Sequence, residues 1–187
     1  GSYSILQTKI AQQKTLKKRK EKLVDDLGVM LIEISKNVQG FEEDLTKMHD
    51  FISGNKQCQF DIKISESIST FVDFDYRIKR DGSSGINRIK TFMYDILLMT
   101  NELTSQRHPK FLIHDNIFAS TGKDDMIKSL NYIHSLAKKH RFQYMLTINK
   151  DEFDSHLDEL DFDYKRLRRA EFTRSKPFLG TEYSEVS

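Results

Sequence analysis

The residues best suited to chemistry lie in Phe111-Leu112-Ile113-His114-Asp115-Asn116, a short apolar run that ends on a carboxylate. With Pro109 just ahead, the run predicts a buried parallel strand over 110–114, and the carboxyl ends of such strands open onto the crevice where α/β sheets bind ligands. An Asp there can help hold Mg2+ beside a phosphate. Strands also end in Asp for turn-forming reasons. Asn116 is an amide and cannot act as a general base. His114 should point to the opposite face of the strand from Asp115, as a hydrogen-bonded strand-end histidine rather than a catalyst.

A second candidate is Asp81-Gly82-Ser83-Ser84-Gly85, immediately before a helical stretch. Its glycines permit close backbone approach, and Ser83 and Ser84 with the N–H groups of a helix start favour an anion. The same residues also make an ordinary turn with an N-cap. The loop lacks the Gly-Lys-Ser/Thr ending of a P-loop. His49, His108, His134, His140 and His156 show no paired metal-ligand spacing, and Asp158, Asp161 and Asp163 lack the Gly and terminal Glu of a calcium loop.

The elements that must position these residues fall into two parts, an arm over 3–55 and a globular lobe over 56–187. In the arm, Val24, Leu27, Leu31, Ile34, Val38, Phe41, Leu45, Met48 and Ile52 follow one another in steps of three and four, the a/d seam of a coiled coil. A helix of some 50 residues spans about 75 Å, more than the lobe can cover, so the seam calls for a partner helix, packing on the chain's own lobe being the alternative. Upstream, Lys14, Lys17, Lys18, Arg19, Lys20 and Lys22 form a basic run that reads as a solvated face or a contact with DNA phosphates.

In the lobe, 59–64 and 70–79 alternate as strands able to pair as a hairpin. A helix over 86–106 precedes the 110–114 strand, and a helix over 123–140 leads to a second buried strand over 143–148, a right-handed βαβ unit. Residues 154–169 read as helix and 177–183 as a closing edge strand. The fold class is therefore α/β, with a mixed, mainly parallel sheet behind a long helix.

Composition sets the bounds. The chain has 187 residues, 37% apolar, enough for one moderate core. A net charge of +2 gives no whole-molecule field for nucleic acid or membranes. No run is long and apolar enough to cross a membrane. One cysteine, Cys58, agrees with a reducing, cytoplasmic setting and reads as a structural thiol. Gly1-Ser2 reads as a cloning remnant, and the chain as part of something longer.

The order of parts, a coiled coil, a phosphate-type loop, a helix, an apolar strand ending in Asp and a βαβ unit, resembles the carboxy-terminal lobe of SMC-like, ABC-type ATPase heads. More narrowly, residues 110–116 and 143–149 resemble domain of unknown function 2326, found at the end of bacterial coiled-coil ATPases, and the likeness covers about residues 57–183. The resemblance implies that Ser83, Ser84 and Gly85 are the signature loop touching ATP on an opposing head, that Asp115 is the Walker B Asp serving Mg2+, and that Asn149 is the switch position. Residues 117–125 would contain a loop crossing the dimer interface. It further implies ATP and Mg2+ as cofactors, held only with an amino-terminal lobe and its antiparallel helix, a head-to-head dimer, and a role in DNA repair or phage defence. Asn116 departs from the pattern, since such heads carry Glu there; slow hydrolysis, or a substitute such as His114 or Asp124, would follow. The competing reading is a non-enzymatic coiled-coil interaction scaffold.

Overall fold

The computed structural model describes residues 2–65, 70–79, 81–173 and 176. The heptad pattern gives the expected long helix with one irregular residue. Helix α1 (Ser2–Glu33) meets α2 (Ser35–Ser53) at Ile34, whose ψ of 1° leaves the helical range. Beside it the Ser35 hydroxyl donates to the Ile32 carbonyl, a local bond that competes with the helical ladder and bends helices. Gly54, at φ 65°, caps α2 in the left-handed conformation glycine adopts freely.

The seam divides at this point. Phe41, Leu45, Met48 and Ile52 are buried in the core of the chain's own lobe. Val24, Leu27 and Leu31 are half-buried near the hairpin, where Gly28 lies close to the Ile64 side chain. Residues 3–23 of α1 are exposed throughout, including the basic run.

Strands β1 (Cys58–Ile64) and β2 (Val72–Ile78) form the expected antiparallel hairpin, with Phe60 opposite Tyr76. Asp61 and Asp75 also face each other, a like-charge pair that Lys63 bridges at 3.5 and 3.1 Å. Lys63 and Arg77 hold the Asp75 carboxyl below the usual carboxylate range. Cys58 packs against the core, and burial raises its thiol pKa.

Helix α3 (Ser84–Thr100), strand β3 (Phe111–Asp115), helix α4 (Lys123–Ala137) and strand β4 (Gln143–Thr147) follow, with β3 and β4 parallel in the register Asp115 to Thr147. Among the described residues the expected mixed, mainly parallel sheet is instead two separate two-stranded sheets, one antiparallel and one parallel. One reason is that the Glu42 carboxylate of α2 accepts the Phe60 N–H, occupying the edge of β1 where another strand would bond. Helix α3 stops at Thr100 rather than 106, because the Asn101 side chain accepts from Leu103 N–H and donates to Asp44, drawing the backbone out of the helix.

The region expected as helix over 154–169 is broken into α5 (Lys150–Phe153), a 3-10 turn (Asp154–Glu159) and α6 (Tyr164–Leu167). Asn131 of α4 grips both sides of Leu160, donating to the Glu159 carbonyl and accepting from Asp161 N–H, and so holds an extended residue there. The strand expected over 177–183 lies outside the described residues.

Along β3 and β4, Leu112, His114, Tyr144 and Leu146 face the core, while Phe111, Ile113 and Met145 are exposed on the other side. Parallel strands are ordinarily covered on both faces. No helix among the described residues is long and apolar enough to cross a membrane.

Candidate functional site

At the carboxyl end of the parallel pair, Asp115 is exposed and the Thr147 hydroxyl donates to its Oδ1. The parallel register makes this contact, since it sets Thr147 beside Asp115. The same Thr147 oxygen lies 3.0 Å from the Asn116 N–H, which donates to it and to the Thr147 carbonyl. Thr147 therefore ties the strand end and its carboxylate together, leaving Oδ2 of Asp115 without a bond among the described residues.

Asn116 turns the chain sharply. Its φ of 48° is left-handed, which a short amide tolerates and a long side chain resists. Arg88 of α3 donates to its carbonyl at 2.7 Å, and its side-chain Oδ1 is buried with no partner. Asn116 is thus an inward-turned amide.

The first turn of α3 lies against this same loop. An added Cβ at Gly85 would meet the Ser120 carbonyl oxygen at 2.2 Å, so Gly85 allows backbone to touch backbone. Gly85 is buried by this contact, whereas Ser83 and Ser84 remain exposed. The Ser83 hydroxyl caps the helix by accepting Ile86 N–H. Asp81 is paired with Lys90 at 2.7 Å, and Lys90 sits over the Tyr76 ring.

Asn149 is exposed, two residues beyond Thr147, as the N-cap of α5, and its side chain makes no capping bond. Thus Asp115, Asn116 and Asn149 share the carboxyl end of the strand pair, and Arg88 and Gly85 bring the Ser83-Ser84 turn to the loop that follows β3. Asp124 is exposed in the first turn of α4. Burial raises the pKa of its neighbour Asp125, with the nearby Ser53 side chain opposing the shift.

His114 faces away from Asp115, as strand alternation requires, and is buried. Its Nε2 lies 3.0 Å from Asp95 of α3 and its Nδ1 3.0 Å from the Tyr144 hydroxyl. A carboxylate oxygen accepts, so Nε2 donates to Asp95, and Nδ1 pairs with the Tyr144 hydroxyl. Burial, and secondarily Asp95, push the Tyr144 pKa up, which keeps the phenol protonated. This clamp joins helix, β3 and β4. Sequence reasoning missed Thr147, Arg88, Asp95 and Tyr144; only the alternation in Gln143-Tyr144-Met145-Leu146-Thr147 hinted that Thr147 shares a face with the strand-end residues.

The donors available suit a magnesium ion only as a shared site. Mg2+ commonly takes one or two protein carboxylates plus phosphate oxygens and water, and Asp115 offers one free carboxylate oxygen at an open strand end. No cluster of three or more His, Cys, Asp or Glu able to hold a metal occurs among the described residues.

The sequence matches the family described as an uncharacterised protein conserved in bacteria, DUF2326, over residues 34–181. The chain belongs to this family. The DUF2326 match starts at Ile34, the irregular residue between the two long helices, so it takes in α2 and leaves α1 outside. No curated protein matches the chain.

Proposed function

We propose that this DUF2326 chain is the carboxy-terminal lobe of an SMC-like, ABC-type ATPase head. In this reading Asp115, with Ser83 and Ser84 at the start of α3, contributes to a Mg2+–ATP site whose P-loop belongs to an amino-terminal lobe. The observation that carries it is Asp115 itself: an exposed carboxylate, oriented by Thr147, at the carboxyl end of a parallel strand pair, where α/β sheets bind ligands. The exposed apolar face of Phe111, Ile113 and Met145 supports the same reading, because a parallel sheet needs cover on both sides and another lobe would supply it.

Within this reading Asp115 bears on the metal side of the phosphates, Thr147 fixes its rotamer, and the Ser83-Ser84 turn faces a nucleotide on an opposing head. Binding would draw heads together and move the helical arm, in DNA repair or defence against phage. Asn116 supplies no base, so the head holds and senses ATP more than it hydrolyses it. A scaffold without nucleotide chemistry is the second reading. It is favoured by Gly85, which is spent on the Ser120 backbone instead of a ligand.

The test is ATP binding by this chain mixed with its amino-terminal lobe, compared with Asp115→Ala and Ser84→Arg. Loss of binding or of ATP-dependent association in both supports the head. Unchanged binding and association in both leaves the scaffold.

A further inference from the structure

The first 20 residues hold Lys9, Lys14, Lys17, Lys18, Arg19 and Lys20 and no Asp or Glu. The whole chain is only +2, so everything after them is net acidic. Charge divided in this way within one chain is the pattern of a basic arm that meets a polyanion. In the structure residues 3–23 of α1 are exposed throughout, and neither these cations nor Lys22 has an ion pair among the described residues. Glu21 is the one carboxylate within the run and leaves it unpaired. Lys14, Lys18 and Lys22 follow at four-residue steps, about 6 Å apart along the helix, and like charges at that spacing weaken a helix until something neutralises them. Carried back from Val24, the a/d register falls on Lys20 and Lys17, while Lys18, Arg19 and Lys22 lie off it on the outer side. A partner helix seated on the seam therefore leaves these three open.

We infer that the outer row of Lys18, Arg19 and Lys22 binds the phosphate backbone of duplex nucleic acid, without regard to base sequence. Backbone contact needs cations and no reading of base edges. Single strands are held largely by stacking on aromatic rings, and no aromatic residue occurs between Tyr3 and Phe41. A membrane-surface helix keeps its cations on one side and its large apolar residues on the other. Here Lys17, Lys18, Arg19 and Lys20 are consecutive on α1 and so point around the whole helix. The contact uses no nucleotide, so its failure would leave the ATPase reading untouched, and the reverse also holds.

The experiment is fluorescence anisotropy of a short labelled DNA duplex of mixed sequence, titrated with the chain in the absence of ATP. Three neutralised phosphates predict that log K falls against log salt with a slope of about −2.7 or steeper between about 50 and 200 mM. The combined change Lys18→Gln, Arg19→Gln and Lys22→Gln should weaken binding at least about tenfold at the lower salt and flatten that slope. Its circular dichroism spectrum should be unchanged, since glutamine is a good helix former. Removing three exposed charges from the lobe instead, by Lys138→Gln, Lys139→Gln and Arg141→Gln, should leave binding within about twofold, because distant charges are screened. Vesicles of phosphatidylserine and phosphatidylcholine, matched in anionic charge, should not displace the duplex. No binding at about 50 mM salt, equal losses in the two triple variants, tighter binding of the matching single strand, or displacement by the vesicles would each overturn the inference.

Discussion

The Thr147 hydroxyl donates to the Asp115 carboxylate across two parallel strands, so the candidate metal-side acid is held by a residue 32 positions away in sequence. Thr147→Val keeps the shape and removes the donor. We expect a stability loss of about 1 kcal/mol in urea melts, and weaker Mg2+–nucleotide binding in the assembled head. Thr147→Ser should retain both properties.

Gly85→Ala tests the close approach of α3 to the loop after β3. The added carbon meets the rigid Ser120 backbone at 2.2 Å, not the flexible end of a side chain. Destabilisation of at least about 2 kcal/mol is expected, seen as a lower midpoint in thermal melts of the chain alone. A neutral substitution would mean that the loop is not seated as described.

At Asn116 backbone conformation and chemistry pull in opposite directions. Asn116→Glu, the acid that the proposed head reading would expect there, places a long side chain at φ 48°. The cost should be about 1–2 kcal/mol. Asn116→Gly, free of that strain, should fall within about 0.5 kcal/mol of the parent. Chemical denaturation of the two variants side by side decides the point.

Asp125 predicts a pH dependence. Burial raises its folded pKa above the ordinary carboxylate value it has when unfolded. Between those two values the folded state holds a proton that the unfolded state has released, so stability falls as pH rises through the window. Above the window the penalty of a buried charge is present in full. Asp125→Asn should therefore melt higher than the parent at neutral pH, with the difference shrinking on acidification; a difference that grows toward acid would contradict this.

What the sequence disclosed follows from where the determining interactions lie. The β3 strand and its exposed Asp115 were legible because an apolar run closed by a charge is a local pattern, as is the alternation of the hairpin. The long helix was legible for the same reason, but its cover was not: periodicity shows that Phe41, Leu45, Met48 and Ile52 share a face, and only tertiary structure shows that the chain's own core takes it. The two separate sheets, the early stop at Asn101 and the break at Leu160 depend on Glu42, Asp44 and Asn131, side chains distant in sequence. Thr147 and the Asp95–His114–Tyr144 clamp likewise exist only through parallel register.

The central claim is that Asp115 serves a Mg2+–nucleotide site shared with another lobe. Its most direct test is a Mg2+ titration of ATP binding in the assembled two-lobe head, parent against Asp115→Asn, a change that keeps shape and removes charge. The account predicts that Mg2+ tightens ATP binding by the parent and that the variant loses most of this enhancement. Equal Mg2+ dependence in the two proteins would contradict it.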